Sequence, residues 1–190
     1  VLTLLLLTVL QTAPTCDASL QAHVYHPQRL KQLQECVAVS GTIVDATKGV
    51  HKNGLRHEAD GDTHGWLKVD PQFENLLNDG NKSSEGGNLV FEIVCMYSVH
   101  QADAKSACKG YKSKIKVPPV GSQVVITGVL VQDQEHAQWN EIHPVTSITV
   151  VKAAAGLWKH RLENVALGAV AVTIIVACVY SGSCAGLTGG

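Results

Sequence analysis

Residues 36–46 read CVAVSGTIVDA, with Val37, Val39, Gly41 and Ile43 on one parity of an alternating run. Alternation with period two is the pattern of a strand that buries one face, and a glycine on the buried parity marks a bulge or a sharp coil. Downstream, residues 66–69 form a second short strand after the polar turn DGDTHG. Residues 71–78, PQFENLLN, set Phe73, Leu76 and Leu77 at helical spacing behind a proline. Residues 89–96, LVFEIVCM, read as a nearly continuous apolar strand, and 101–108, QADAKSAC, as a short helix. Pro118, Pro119 and Gly121 introduce a fourth strand over 123–131, and 141–151 completes a fifth. Five strands with an excursion between the third and fourth predict a mainly β fold, a five-stranded OB-like barrel with a short helical insertion. Gly41 and Gly128 fall where such a barrel bends; a small sandwich is the alternative architecture.

Both ends of the chain are apolar. Residues 165–187, VALGAVAVTIIVACVYSGSCAGL, carry no charged side chain and are long enough, at ~1.5 Å per residue, to cross a hydrocarbon core of ~30 Å. Trp158, Lys159 and Arg161 precede them as interfacial anchors, so a C-terminal transmembrane helix is expected. A helix packed among copies of the chain in a filament is the alternative. The apolar run 1–10 is too short to span and reads as a signal-like or retained membrane segment. The chain is thereby divided into that segment (1–18), a lead-in (19–35), the OB-like domain (36–151), a juxtamembrane linker (152–164) and the membrane helix (165–187).

Fifteen basic and 16 acidic side chains are mixed without a long run of either sign, which argues against a nucleic-acid partner. Six cysteines beside a secretory-type segment suggest an oxidising compartment. Of the pairings open to the four outside the tail, Cys95 with Cys108 and Cys16 with Cys36 each close a short local loop and are expected; free buried thiols are the alternative. Asn81-Lys82-Ser83 is a sequon in a Gly/Ser/Asn-rich stretch and makes Asn81 a candidate glycosylation site.

The chemistry-bearing residues concentrate in 58–64, EADGDTH, and 135–144, EHAQWNEIHP. Together with Tyr25, Pro27, Arg29 and Leu30, the strand Cys36, Val37, Val39 and Gly41, the turn Asp60, Gly61, Asp62 and His64, the pair Asp70-Pro71, and Trp139, Glu141, Ile142, His143, Pro144 and Val145, they carry a resemblance. Over residues 25–148 the chain resembles a family of secreted OB-like domains found in archaea, ammonia oxidisers among them, and in some bacteria. It departs from that pattern in Val69 before Asp70-Pro71, in an insertion around 49–57, and in the C-terminal apolar segment. The resemblance implies an extracytoplasmic domain and brings no reaction with it.

Glu141 and His143 are two apart on a strand and face one side; if the strand carrying His64 lies beside theirs, a site of two imidazoles and one carboxylate results, suited to Zn, Cu or Fe, with Zn or Cu the expected ion. Hydrogen bonding of the same groups to a turn would explain them without a metal. Ser40, Ser98 and Ser147 lack the context of a nucleophile, and no phosphate-cradling glycine loop is present. The expected function is a membrane-anchored extracytoplasmic accessory subunit without activity of its own, with the lipid bilayer and integral membrane subunits as partners; an ammonia monooxygenase-type assembly is what the family resemblance implies. A metal-binding or metal-dependent enzyme domain at the cell surface, and a cell-surface filament subunit, are the alternatives. Lys152, Lys159 and Arg161 would by charge bias put the head in the cytoplasm, against the cysteine usage and the leading apolar segment.

Overall fold

The computed structural model describes residues 13–46 and 54–154. Along the chain come β1 (Leu30–Val44), β2 (Leu55–His57), β3 (Thr63–Val69), β4 (Leu89–Ile93), β5 (Gln123–Asp133) and β6 (Asn140–Lys152). β1 pairs antiparallel with β5 and, from Gly41 onward, with β3. β3 pairs with β4, β4 runs parallel to β6, and β6 returns antiparallel to β5. Five strands therefore close into a barrel in the order β1-β3-β4-β6-β5, while β2 continues the edge of β3 beyond β1. A closed five-stranded β barrel with little helix is consistent with the OB type.

Side-chain alternation decides what lies inside. Val39 and Ile43 of β1, Leu67 of β3, Phe91 of β4, Ile126 of β5 and Ile142 of β6 meet in one fully buried core. Closure depends on two close backbone approaches. Gly41 stands opposite both Val69 and Val124, where β1 passes from one partner to the other, and a Cβ there would lie 2.4 Å from the Lys68 carbonyl oxygen. Gly128 sits at a register shift between β5 and β6, where a Cβ would lie 2.5 Å from the Pro144 carbonyl oxygen.

The lead-in belongs to the folded unit. β1 starts at Leu30, six residues before the run that announces it, and short 3-10 helices occupy Ala18–His23 and Pro27–Arg29. Leu20 and Val24 from this segment pack with Val94 and Cys95 in a second, smaller core. Disulfides join Cys16 to Cys36 and Cys95 to Cys108, so every cysteine among the described residues is bridged, as suits a domain that folds outside the reducing cytoplasm. The excursion between β4 and β5 holds only a short turn of 3-10 helix, Asp103–Ser106, in place of the expected helix over 101–108. Residues Pro71–Leu76 are likewise 3-10, and the α-helix that follows, α1 (Asp79–Ser84), has no apolar periodicity to announce it.

α1 carries the sequon asparagine into the interior of the fold. Asn81 is fully buried; its side-chain amide donates to the carbonyl oxygens of Asn88 (2.9 Å) and Asn140 (2.8 Å), and its Oδ1 accepts from the Asn140 N–H at 2.9 Å. Both amide hydrogens are committed, so the folded domain has no place for a glycan there. The membrane helix expected over 165–187 and the apolar run 1–10 lie outside the described residues. Among those described, no helix is long and apolar enough to cross a membrane.

Replacing Cys95 and Cys108 by alanine reopens a loop with a sequence separation of 13. We expect a loss of about 2–4 kcal/mol in denaturant unfolding. Non-reducing peptide mapping should recover the wild-type pair as one cross-linked species.

Candidate functional site on the outer face of the barrel

Because Leu89, Phe91 and Ile93 point into the core, Val90 and Glu92 of β4 point outward. Register then aligns a row across the strands: Arg56 of β2 is opposite His64 of β3, and His64 is opposite Glu92. Val90 is opposite Glu141 and Phe91 opposite Ile142 across the parallel seam, which brings His143 of β6 to the other flank of Glu92. Strand spacing of about 4.8 Å puts such neighbours in bonding range. His64 Nδ1 lies 3.0 Å from Glu92 Oε1 and His143 Nδ1 lies 3.0 Å from Glu92 Oε2, so one carboxylate bridges two imidazoles.

Other elements seal the row. Glu141, fully buried, has Oε1 3.0 Å from His143 Nδ1 and accepts from Trp139 Nε1–H at 2.7 Å. Glu85, at the end of α1, accepts from Trp66 Nε1–H at 2.5 Å and lies 3.5 Å from His64 Nε2. Arg29 reaches in from the lead-in: it pairs with Asp133 at the end of β5 and stands 3.8 Å from Glu92 and 3.9 Å from Glu141. Asp133 also accepts the N–H groups of Glu135 (2.8 Å) and His136 (3.1 Å), which orders the turn carrying Trp139. In the DGD turn, Asp60 accepts the Asp62 N–H at 3.0 Å, and Asp62 Oδ1 accepts the Cys95 N–H at 2.7 Å.

The expected set of His64, Glu141 and His143 is thus brought into one cluster, but on the outer face of the sheet and with a different centre. β4 lies between the strands of the two histidines, so Glu92, and not Glu141, stands between the imidazoles. Glu92 carried a readable signal, a carboxylate inside the apolar run LVFEIVCM. Arg56, Glu85 and Asp133 had none, because only strand pairing brings them near. Three other histidines stack on tyrosines: His23 on Tyr111, His26 on Tyr25 and His57 on Tyr97.

Above the row opens a pocket of about 270 Å³ that reaches Glu92 between Arg29, Arg56, Glu58 and Asp60. Its walls include two stacked ring pairs, Tyr25 with His26 and His136 with Trp139. No protein-family model matches the chain, and neither the curated proteins nor the solved structures give a match.

Burial sets the proton positions. It works against charge on His143, yet the Glu92 charge and the bonds to Glu141 and Glu92 prevail and lift its pKa to about 10. Burial opposes the His64 cation as well, and Glu85 and Glu92 together raise it to about 9. Asp62 is pushed up to about 8 by burial, against the pull of His143. Glu92 resists the same burial because the two imidazoles hold it well below the usual carboxylate range.

Stability should therefore depend on pH with a definite sign. The imidazoles hold protons that the unfolded chain releases near 6.5, so their contribution is full below that value and is lost as the pH rises through about 9 and about 10. Asp62 acts in the same direction between 3.8 and about 8, whereas the Glu92 contribution is present above 4.5 and lost on acidification. Chelator-treated protein should have its highest Tm at roughly pH 5–6 and decline toward alkaline pH. Glu92→Gln should cost about 3–5 kcal/mol by removing the buried charge that the two imidazoles share, and should flatten the alkaline limb. A wild-type Tm that rises between pH 6 and 9 would contradict this assignment.

Proposed function

We propose that the chain is an extracytoplasmic head tethered to the membrane by residues 165–187 and that it serves as an accessory subunit of a membrane protein complex. An ammonia monooxygenase-type assembly of archaea is the specific case that the family resemblance raises. The observation that supports this reading is how the outer face of the barrel is finished. Its charges are matched across strands and capped by two tryptophans, and above them lies a polar pocket with aromatic walls, a shape that receives a polar segment of a partner. The two disulfides suit the same location.

Deleting residues 155–190 should release the head from salt-washed membranes with both disulfides formed. Full-length chain purified in mild detergent from its native membranes should carry integral membrane subunits in fixed ratio. Tyr25→Ala with His136→Ala, which removes one ring from each wall, should weaken that association at least about tenfold. A truncated head that stays on washed membranes refutes the tether, and a full-length chain that migrates alone refutes the subunit role.

A further inference from the structure

Among the described residues, four buried side-chain polar atoms have no hydrogen-bond partner: Asp62 Oδ2, Thr63 Oγ1, His64 Nε2 and His143 Nε2. Native proteins leave few such atoms, and each implies a missing partner. Two of them face each other: His143 Nε2 and Asp62 Oδ2 are 3.7 Å apart, with the two side chains 0% and 2% exposed. That gap is too long for a hydrogen bond. It is close to the spacing of two ligands on one tetrahedral ion, about 3.4 Å for bonds of about 2.0–2.2 Å.

Both groups are aimed in advance. Asp62 Oδ1 is held by the Cys95 N–H, which turns Oδ2 toward the gap. The Nδ1 of His143 faces two acceptors, Glu141 Oε1 and Glu92 Oε2, each at 3.0 Å. One N–H is served by one carboxylate, so Glu141 suffices to orient the ring and Glu92 is left with bonding capacity to spare. A carboxylate behind the imidazole N–H is the usual support of a metal-binding histidine. Asp62, Glu92 and His143 each bring a ligand atom within 4.8 Å of the others, and all three are buried.

We propose that Asp62, Glu92 and His143 bind a divalent transition-metal ion, with Zn(II) matching the one-nitrogen, two-carboxylate donor set. The site differs from the set read in the sequence, since Asp62 and Glu92 are ligands, Glu141 orients His143, and His64 stands outside it. It is independent of the accessory role, because a subunit can assemble with or without the ion. The ion enters while the chain folds, as Asp62 and His143 are closed to solvent afterwards.

The test uses the full-length chain produced with Zn(II) supplied, purified in mild detergent and desalted against a chelator. Elemental analysis should find one zinc per chain in the wild type and none in Asp62→Asn or His143→Gln. Glu141→Gln should weaken binding about 10–100-fold, and His64→Gln should keep the ion. Zinc absent from the wild type, or equal in the wild type and Asp62→Asn because histidines elsewhere hold it, overturns the site. Should both ligand variants fail to fold, Co(II) supplied to the wild type replaces them as the readout. Visible d–d bands that are abolished by one equivalent of Zn(II) during folding support the site, and their absence overturns it.

Discussion

A single buried carboxylate organises the outer face of this barrel. Glu92 stands 3.0 Å from a ring nitrogen of His64 on one side and of His143 on the other, and the three residues sit on three adjacent strands. A charge so deeply buried is tolerable only when paired and hydrogen-bonded, and here the pairing extends outward through Arg29 and Glu141. Bonds of this kind specify register. A slip of one residue in β3 or β6 would turn an imidazole into the apolar core and leave Glu92 with a single partner. The parallel seam between β4 and β6, with only two aligned residue pairs, gains most from that constraint.

The covering segments make sense in the same terms. The lead-in delivers Arg29 and is stapled to β1 by Cys16–Cys36. α1 delivers Glu85, and the β5–β6 turn delivers Trp139. Each is a short element that makes a polar contact to the row, and the lead-in adds the apolar anchorage of Leu20 and Val24. The barrel core and the polar outer layer are therefore distinct sources of order, one carried by Phe91, the other by its sequence neighbour Glu92.

How far the sequence discloses this depends on the range of the interaction. Alternation in 36–46, the runs 89–96 and 123–131, and glycines at 41 and 128 are local, and they were enough to anticipate a closed five-stranded barrel. Asp62, His64, Glu141 and His143 stood out as a chemical cluster because their motifs are dense in ligand-type side chains. Glu92 reads locally as part of an apolar strand, since its neighbours on both sides are core residues. The strand β2 and the pairing of Arg29 with Asp133, 104 residues away, leave no local trace. α1 has no local signature because its stability comes from an asparagine cap and docking on β6, with no apolar stripe.

The buried Asn81 has a consequence for biosynthesis. Its sequon is open to a glycosyltransferase only while the chain is unfolded, because docking of α1 against Asn140 commits both amide hydrogens. In a host that attaches N-glycans, occupancy of this site would measure a race between enzyme and folding. Since docking needs β6, some sixty residues further along, the finish of that race is set by completion of the barrel and not by local helix formation. A sugar added early would hold the helix off the sheet, and the chains would be sorted into folded, unglycosylated ones and glycosylated ones that never close.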